Sequence, residues 1–232
     1  MVLTLLVAAV AASLLIGAAW GYALPLPERV EGNLLAFGGG ALLSSLVLEL
    51  FLPAMETAGA GPASLALLAG AAGFAIVDHW VDEVWGGRSG LSLLAAISLD
   101  GVPENLALGV DLIGAGAREV SAFAVAIMLS NLPEAAAGAR NMRNNGWSAR
   151  RVAALWGIAA LVLSGVTIGG NLLLQDAGDS PLGLIRAVAA GAVVASLVTE
   201  LFPQAHRDGD DLTGIASACG LVCAAVLSRS AG

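Results

Sequence analysis

Leu99-Asp100-Gly101-Val102-Pro103-Glu104 and, thirty positions on, Leu129-Ser130-Asn131-Leu132-Pro133-Glu134 decide how this chain is read. Both copies sit inside long apolar runs. A carboxylate at the centre of a membrane helix costs roughly 2.5–3.5 kcal/mol on insertion scales, so such residues mark function by default. Each copy also carries a proline one residue before its glutamate. A proline has no N–H to give to the carbonyl four residues back, which leaves the oxygens of Leu99 and Leu129 free as acceptors. On one helix Asp100 and Glu104 share a face at i, i+4; on the other Ser130 and Glu134 do the same, with Asn131 three before the glutamate. Packed side by side, the two helices bring together three carboxylates and two neutral oxygen donors, with Asn105 beside them. Carboxylates this close need a cation or protons to compensate them. Oxygen-only donors suit hard ions such as Mg²⁺, Mn²⁺ or Ca²⁺. The competing reading, protonated carboxyls acting as polar glue between helices, explains one such motif better than two at one depth.

The rest of the chain fits a membrane. Of 232 residues, 58% are hydrophobic and 12% charged, and the mean hydropathy is +0.86. No ordinary soluble domain has this balance. The 30 glycines suit close helix packing. All ten basic residues are arginine, and the net charge of −8 argues against a nucleic-acid partner.

Apolar runs divided by Pro, Gly and charged residues predict eight transmembrane helices, at about 2–24, 33–53, 61–80, 91–113, 118–141, 150–174, 182–204 and 212–228. They form a single transmembrane domain over 1–232, an all-α polytopic protein whose bulk partner is the lipid bilayer. The first run has no basic residue ahead of it and reads as a retained span rather than a signal peptide. With the N-terminus outside, seven arginines (Arg29, Arg88, Arg140, Arg143, Arg150, Arg151, Arg207) fall inside and three (Arg118, Arg186, Arg229) outside. The positive-inside bias therefore places both termini outside the cytoplasmic membrane.

An internal repeat is legible as well. Gly40-Ala41-Leu42-Leu43-Ser44-Ser45-Leu46-Val47-Leu48-Glu49-Leu50-Phe51 aligns without gaps on Gly191-Ala192-Val193-Val194-Ala195-Ser196-Leu197-Val198-Thr199-Glu200-Leu201-Phe202. These stretches lie in the second and seventh spans, which cross in opposite senses, and the two Pro-Glu motifs lie in the fourth and fifth. The pattern predicts an inverted repeat, three helices mirrored by three around a central pair, as in many secondary transporters.

These residues resemble the ZIP metal transporters, whose fourth helix reads His-Asn-x-Pro-Glu-Gly and whose fifth carries a similar polar-polar-x-Pro-Glu-Gly or Pro-His. The 3+2+3 inverted-repeat bundle matches along the whole chain, and Glu200-Leu201-Phe202-Pro203 is similar to the Glu-Leu-x-Pro ending common there. Asp100 stands where the family has its histidine, Gly101 where it has asparagine, Asn105 and Ala135 where glycine is usual. The sixth span offers Ser164, Thr167 and Asn171 but no intramembrane glutamate. The resemblance implies transport of a divalent metal of the Zn²⁺, Fe²⁺ or Mn²⁺ class as substrate, no prosthetic group, and room for a homodimer. Asp100, Glu104, Asn131 and Glu134 are the expected core ligands, with Ser130 and Asn105 secondary. Losing the imidazole weakens the case for zinc.

Other groups stay open between two readings. Glu49 and Glu200 end their helices before Pro53 and Pro203 at the interface, or they are path residues for the metal. His79, with Asp82 or Glu83 at ligand spacing, is a solvated helix end or a metal-holding site; Trp80 and Trp85 beside it suit an aromatic belt. His206 with Asp208, Asp210 and Asp211 is an acidic loop that is solvated or collects metal. Cys219 and Cys223, four apart on one face, read as small packing residues. An intramembrane aspartyl protease would need a second aspartate at the depth of Asp100, and the others fall at helix ends or in loops, so the chain is not read as an enzyme. The alternatives kept are a cation/Ca²⁺ antiporter-like carrier, whose motifs normally lie far apart, and a non-transporting metal-sensing or structural homologue.

Overall fold

The computed structural model describes residues 2–24, 26–85, 90–113 and 122–231. Arg88 and Arg118, which enter the orientation count, lie outside them, as does the side chain of Asp82. Among the described residues the chain is all helix: α1 (Val2–Ala23), α2 (Glu28–Ala58), α3 (Ala60–Trp85), α4 (Gly90–Asp111), α5 (Ala122–Asn144), α6 (Ala149–Leu174), α7 (Asp179–Asp208) and α8 (Thr213–Ala231). Among the described residues, seven helices are long and apolar enough to cross a membrane. Apolar runs of this length have no choice but helix in lipid, where every backbone group must find its partner within the segment. The tightest reversal, between α2 and α3, is made by Gly59 at φ 88°, a conformation that side chains with a Cβ rarely adopt.

The two repeat helices are longer than the sequence suggests. Neither α2 nor α7 stops before its proline; each runs on through it, correcting the expectation that Pro53 and Pro203 end their helices. A wide turn makes this work. Residues Leu46–Phe51 and Leu197–Leu201 are π-helical. The Leu52 N–H reaches back five residues to the Val47 carbonyl, and the Phe202 N–H does the same to Leu197. The extra residue in the turn makes room for a proline ring that would otherwise meet the carbonyl four back. By contrast, Pro103 and Pro133 sit within continuous α-helix.

Packing comes in matched pairs. α1 lies along α5 and α4 along α6; α2 lies along α8 and α3 along α7. Small residues set these approaches. A Cβ at Gly40 would stand 1.9 Å from the Ser217 carbonyl oxygen on α8, and one at Gly191 1.8 Å from that of Leu67 on α3. These two glycines open the sequence repeat, so the repeat marks the same contact twice. α3 and α8 lie on the outside with apolar faces uncovered, including Leu65, Ile76, Ile215 and Val226, as expected for surfaces that meet lipid.

The largest apolar cluster gathers Leu42, Leu46, Leu108, Phe123, Ile127 and Leu197, with Leu6 and Val10 of α1, towards the end of the bundle where α1 and α5 begin. A second, built on Leu14, Met142, Leu155, Trp156 and Leu163, joins α1, α5 and α6 near the opposite end. The space between the two holds the polar groups.

Candidate functional site

Asp100 and Glu104 on α4 and Asn131 and Glu134 on α5 line a single cavity of about 60 Å³. α7 closes it with Ser196, Glu200 and Gln204, and Leu14, Leu35 and Leu163 supply apolar wall. The π turn of α7 brings Glu200 to the same cavity as Asp100. Ser196 Oγ donates to Asp100 Oδ1 at 2.8 Å. Glu104 and Asn131 are buried, 9% and 5% exposed. The Asn131 Nδ2 has no hydrogen-bond partner, which leaves an orphaned amide on the wall of a polar cavity.

The charge is one-sided. Four carboxyls line the cavity, and no arginine or histidine appears among the described residues that do so. Among the described residues no three His, Cys, Asp or Glu side chains are drawn together tightly enough to hold a metal by themselves. The carboxyls stand around a space rather than on a point. An ion seated there would complete its shell with amide or water oxygens.

Access is one-sided too. Asp100, Glu134, Gln204 and Ile97 also line a vestibule of about 710 Å³ that continues past Gly138, Asn141 and Asn145 to Trp147, at the turn between α5 and α6. Beyond Glu104 and Asn131 in the other direction lie Leu108, Phe123 and Ile127, fully buried in the large apolar cluster. Among the described residues the cavity is therefore the blind end of a channel open at the α5–α6 face.

Two expected ligands face elsewhere. Ser130 Oγ donates to the Ile127 carbonyl of its own helix at 3.0 Å and does not line the cavity. Asn105 turns towards α6: its Nδ2 donates to the Gly101 carbonyl at 2.9 Å, and its Oδ1 accepts from Thr167 Oγ1 at 3.0 Å. Asn171 likewise donates to the Gly109 carbonyl at 3.0 Å, so the polar groups of α6 tie it to α4. The reason is angular. Neighbouring residues on a helix point about 100° apart, so the face that presents Glu104 or Asn131 turns Asn105 or Ser130 aside.

Glu49 lies in the π turn of α2 and accepts a hydrogen bond from Ser228 on α8, away from the cavity. His79 is at an exposed helix end, 3.4 Å from Glu83. His206 is exposed, and the acids of its loop are drawn off: Asp208 towards Arg140 at 4.0 Å, Asp210 to Asn33 at 3.0 Å. That bond and the Leu212 N–H hold the Asp210 carboxyl below its ordinary range.

Sequence reasoning did not pick Ser196 or Gln204 as site residues. Gln204 is four residues after Glu200 and shares its face, and Ser196 is four before it; both could have been found from Glu200. It also missed Arg140 as a structural group. This arginine of α5 lies 3.0 Å from Glu31 and 3.2 Å from Glu28, both on α2. No protein-family model matches the chain, and no curated protein matches its sequence.

Proposed function

We propose that the chain carries a divalent metal ion across the cytoplasmic membrane through the cavity between α4, α5 and α7, as a divergent transporter of the ZIP type. On this reading all of α1–α8 span the bilayer, α4 included, in the 3+2+3 inverted arrangement with both termini outside. The paired packing supports the repeat: α1 on α5 is mirrored by α6 on α4, and α2 on α8 by α7 on α3. The positive-inside bias supports an inward α5–α6 face, through the arginines around that turn; the vestibule would then open to the cytoplasm and the apolar cluster close the outside.

The observation that carries the reading is the blind acidic cavity itself. Protonated glue between helices needs neither a water-sized space nor an open path to one face, and this cavity has both. Glu104 and Glu134, the repeat-related carboxyls, would hold the ion, with Asp100 and the Asn131 amide completing the set. Ser130 and Asn105 would position helices rather than touch metal. Alternating access would come from α4 and α5 moving against α2 and α7, replacing contacts in the large apolar cluster by contacts across the vestibule.

The test is uptake into proteoliposomes loaded with a metal-sensitive dye. Glu104→Gln and Glu134→Gln should each lower uptake by about 100-fold, since even outer-shell changes at metal sites cost 10–100-fold. Parental uptake in both variants would sink the assignment.

A further inference from the structure

The cavity offers oxygen and nothing else. Its polar lining consists of the Asp100, Glu104, Glu134 and Glu200 carboxyls, the Asn131 and Gln204 amides, and a serine hydroxyl already given to Asp100. An amide binds a cation through its oxygen, because its nitrogen carries protons and no available lone pair. The described nitrogen and sulfur ligands are all elsewhere. His79 and His206 are exposed at the ends of α3 and α7, and Cys219 and Cys223 are on the outlying α8. Met142 lines the vestibule but packs into the apolar wall with Trp156. The Asn131 Nδ2, a donor, has no acceptor, and a cation would be met by the oxygen of that amide.

We infer that this site, if it is the transport site proposed above, selects hard divalent ions of the Mn²⁺ class over Zn²⁺ and Cd²⁺. Carboxylate, carbonyl and water oxygens suit Mg²⁺, Ca²⁺ and Mn²⁺, whereas imidazole and thiolate are what favour zinc and softer ions. Within the hard group Mg²⁺ is the poorer cargo, because it sheds its water reluctantly. A carboxylate at position 100, rather than a nitrogen ligand, is then a selectivity device: it keeps the set all-oxygen and adds charge.

The experiment measures initial uptake of Mn²⁺, Zn²⁺ and Cd²⁺ into proteoliposomes by the parent, by Asp100→His and by Gln204→His, each first checked for a single size-exclusion peak. The parent should take up Mn²⁺ fastest, and either histidine variant should raise the Zn²⁺/Mn²⁺ uptake ratio by about tenfold, the effect of one nitrogen donor. Gln204→His leaves the carboxyls intact and serves if Asp100→His fails to fold. A parent that carries Zn²⁺ or Cd²⁺ faster than Mn²⁺ overturns the selectivity and leaves transport standing. Ratios unmoved in folded histidine variants overturn it as well. No uptake of any of the three ions by the parent sinks the transport reading itself.

Discussion

Thr167 and Asn105 exchange one hydrogen bond in the buried contact between α4 and α6, and the cost of losing it is measurable apart from transport. Side-chain hydrogen bonds between membrane helices are worth about 0.6 kcal/mol on average and up to about 1.7. Thr167→Val keeps the shape and removes the donor, leaving the Asn105 oxygen unpaired at 2% exposure. It should lower the detergent melting temperature, with a double-mutant coupling to Asn105→Ala of about 1 kcal/mol, and leave the metal preference unchanged. A coupling near zero would remove Asn105 from its helix-tying role. At this scale the sequence was partly legible. Helical spacing was enough to put Asp100 with Glu104 and Asn131 with Glu134. It could not say which of two adjacent polar residues faces the cavity, because that depends on the rotation of each helix, set by neighbours such as Thr167 on α6.

At the scale of the element, Arg140 is the group to disturb. Its guanidinium is 15% exposed and the Glu31 carboxylate beside it 3%, joining α5 to the start of α2. Removing one partner of a buried pair leaves the other charge stranded, at a cost of about 3 kcal/mol. Arg140→Gln should therefore destabilise the protein markedly, while Arg140→Gln with Glu31→Gln should recover much of the loss. Urea or thermal unfolding of the three proteins decides it, and an unrecovered double variant would refute the pairing. The sequence assigned this arginine to topology, since a charge at a helix end ordinarily faces water and lipid headgroups. The wide turns of α2 and α7 were hidden for a different reason. A proline usually ends a helix, and the i−5 bonding that lets the chain continue depends on packing that holds the turn open.

For the molecule as a whole, the repeat makes a symmetric forecast. Gly40 and Gly191 each face a carbonyl oxygen of a neighbouring helix at a distance no Cβ tolerates. Gly40→Ala and Gly191→Ala should each cost about 1–3 kcal/mol, the usual range for overpacking, and by similar amounts. Gly73→Ala is the control, since nothing lies within 4 Å of a Cβ there. Melting followed by tryptophan fluorescence compares them; a loss at one repeat position alone would show that the two contacts are not equivalent. The helical membrane class was plain from the apolar runs. Which helix packs on which was not, because glycine contacts are made by backbone that leaves no mark in the hydrophobic pattern.

The vestibule also shapes the electric field. On the proposed reading, water filling the vestibule would carry the potential of that compartment almost to Glu134, and the membrane voltage would fall mainly across the apolar cluster beyond it. For transport as proposed, an ion binding from the vestibule would scarcely feel the voltage. One crossing the closed half would feel nearly all of it, about 4.6 kcal/mol per 100 mV for a divalent charge. The lopsided hydration of the bundle would then act as a rectifier, concentrating the pull of the membrane potential on the step that changes which side the metal sees.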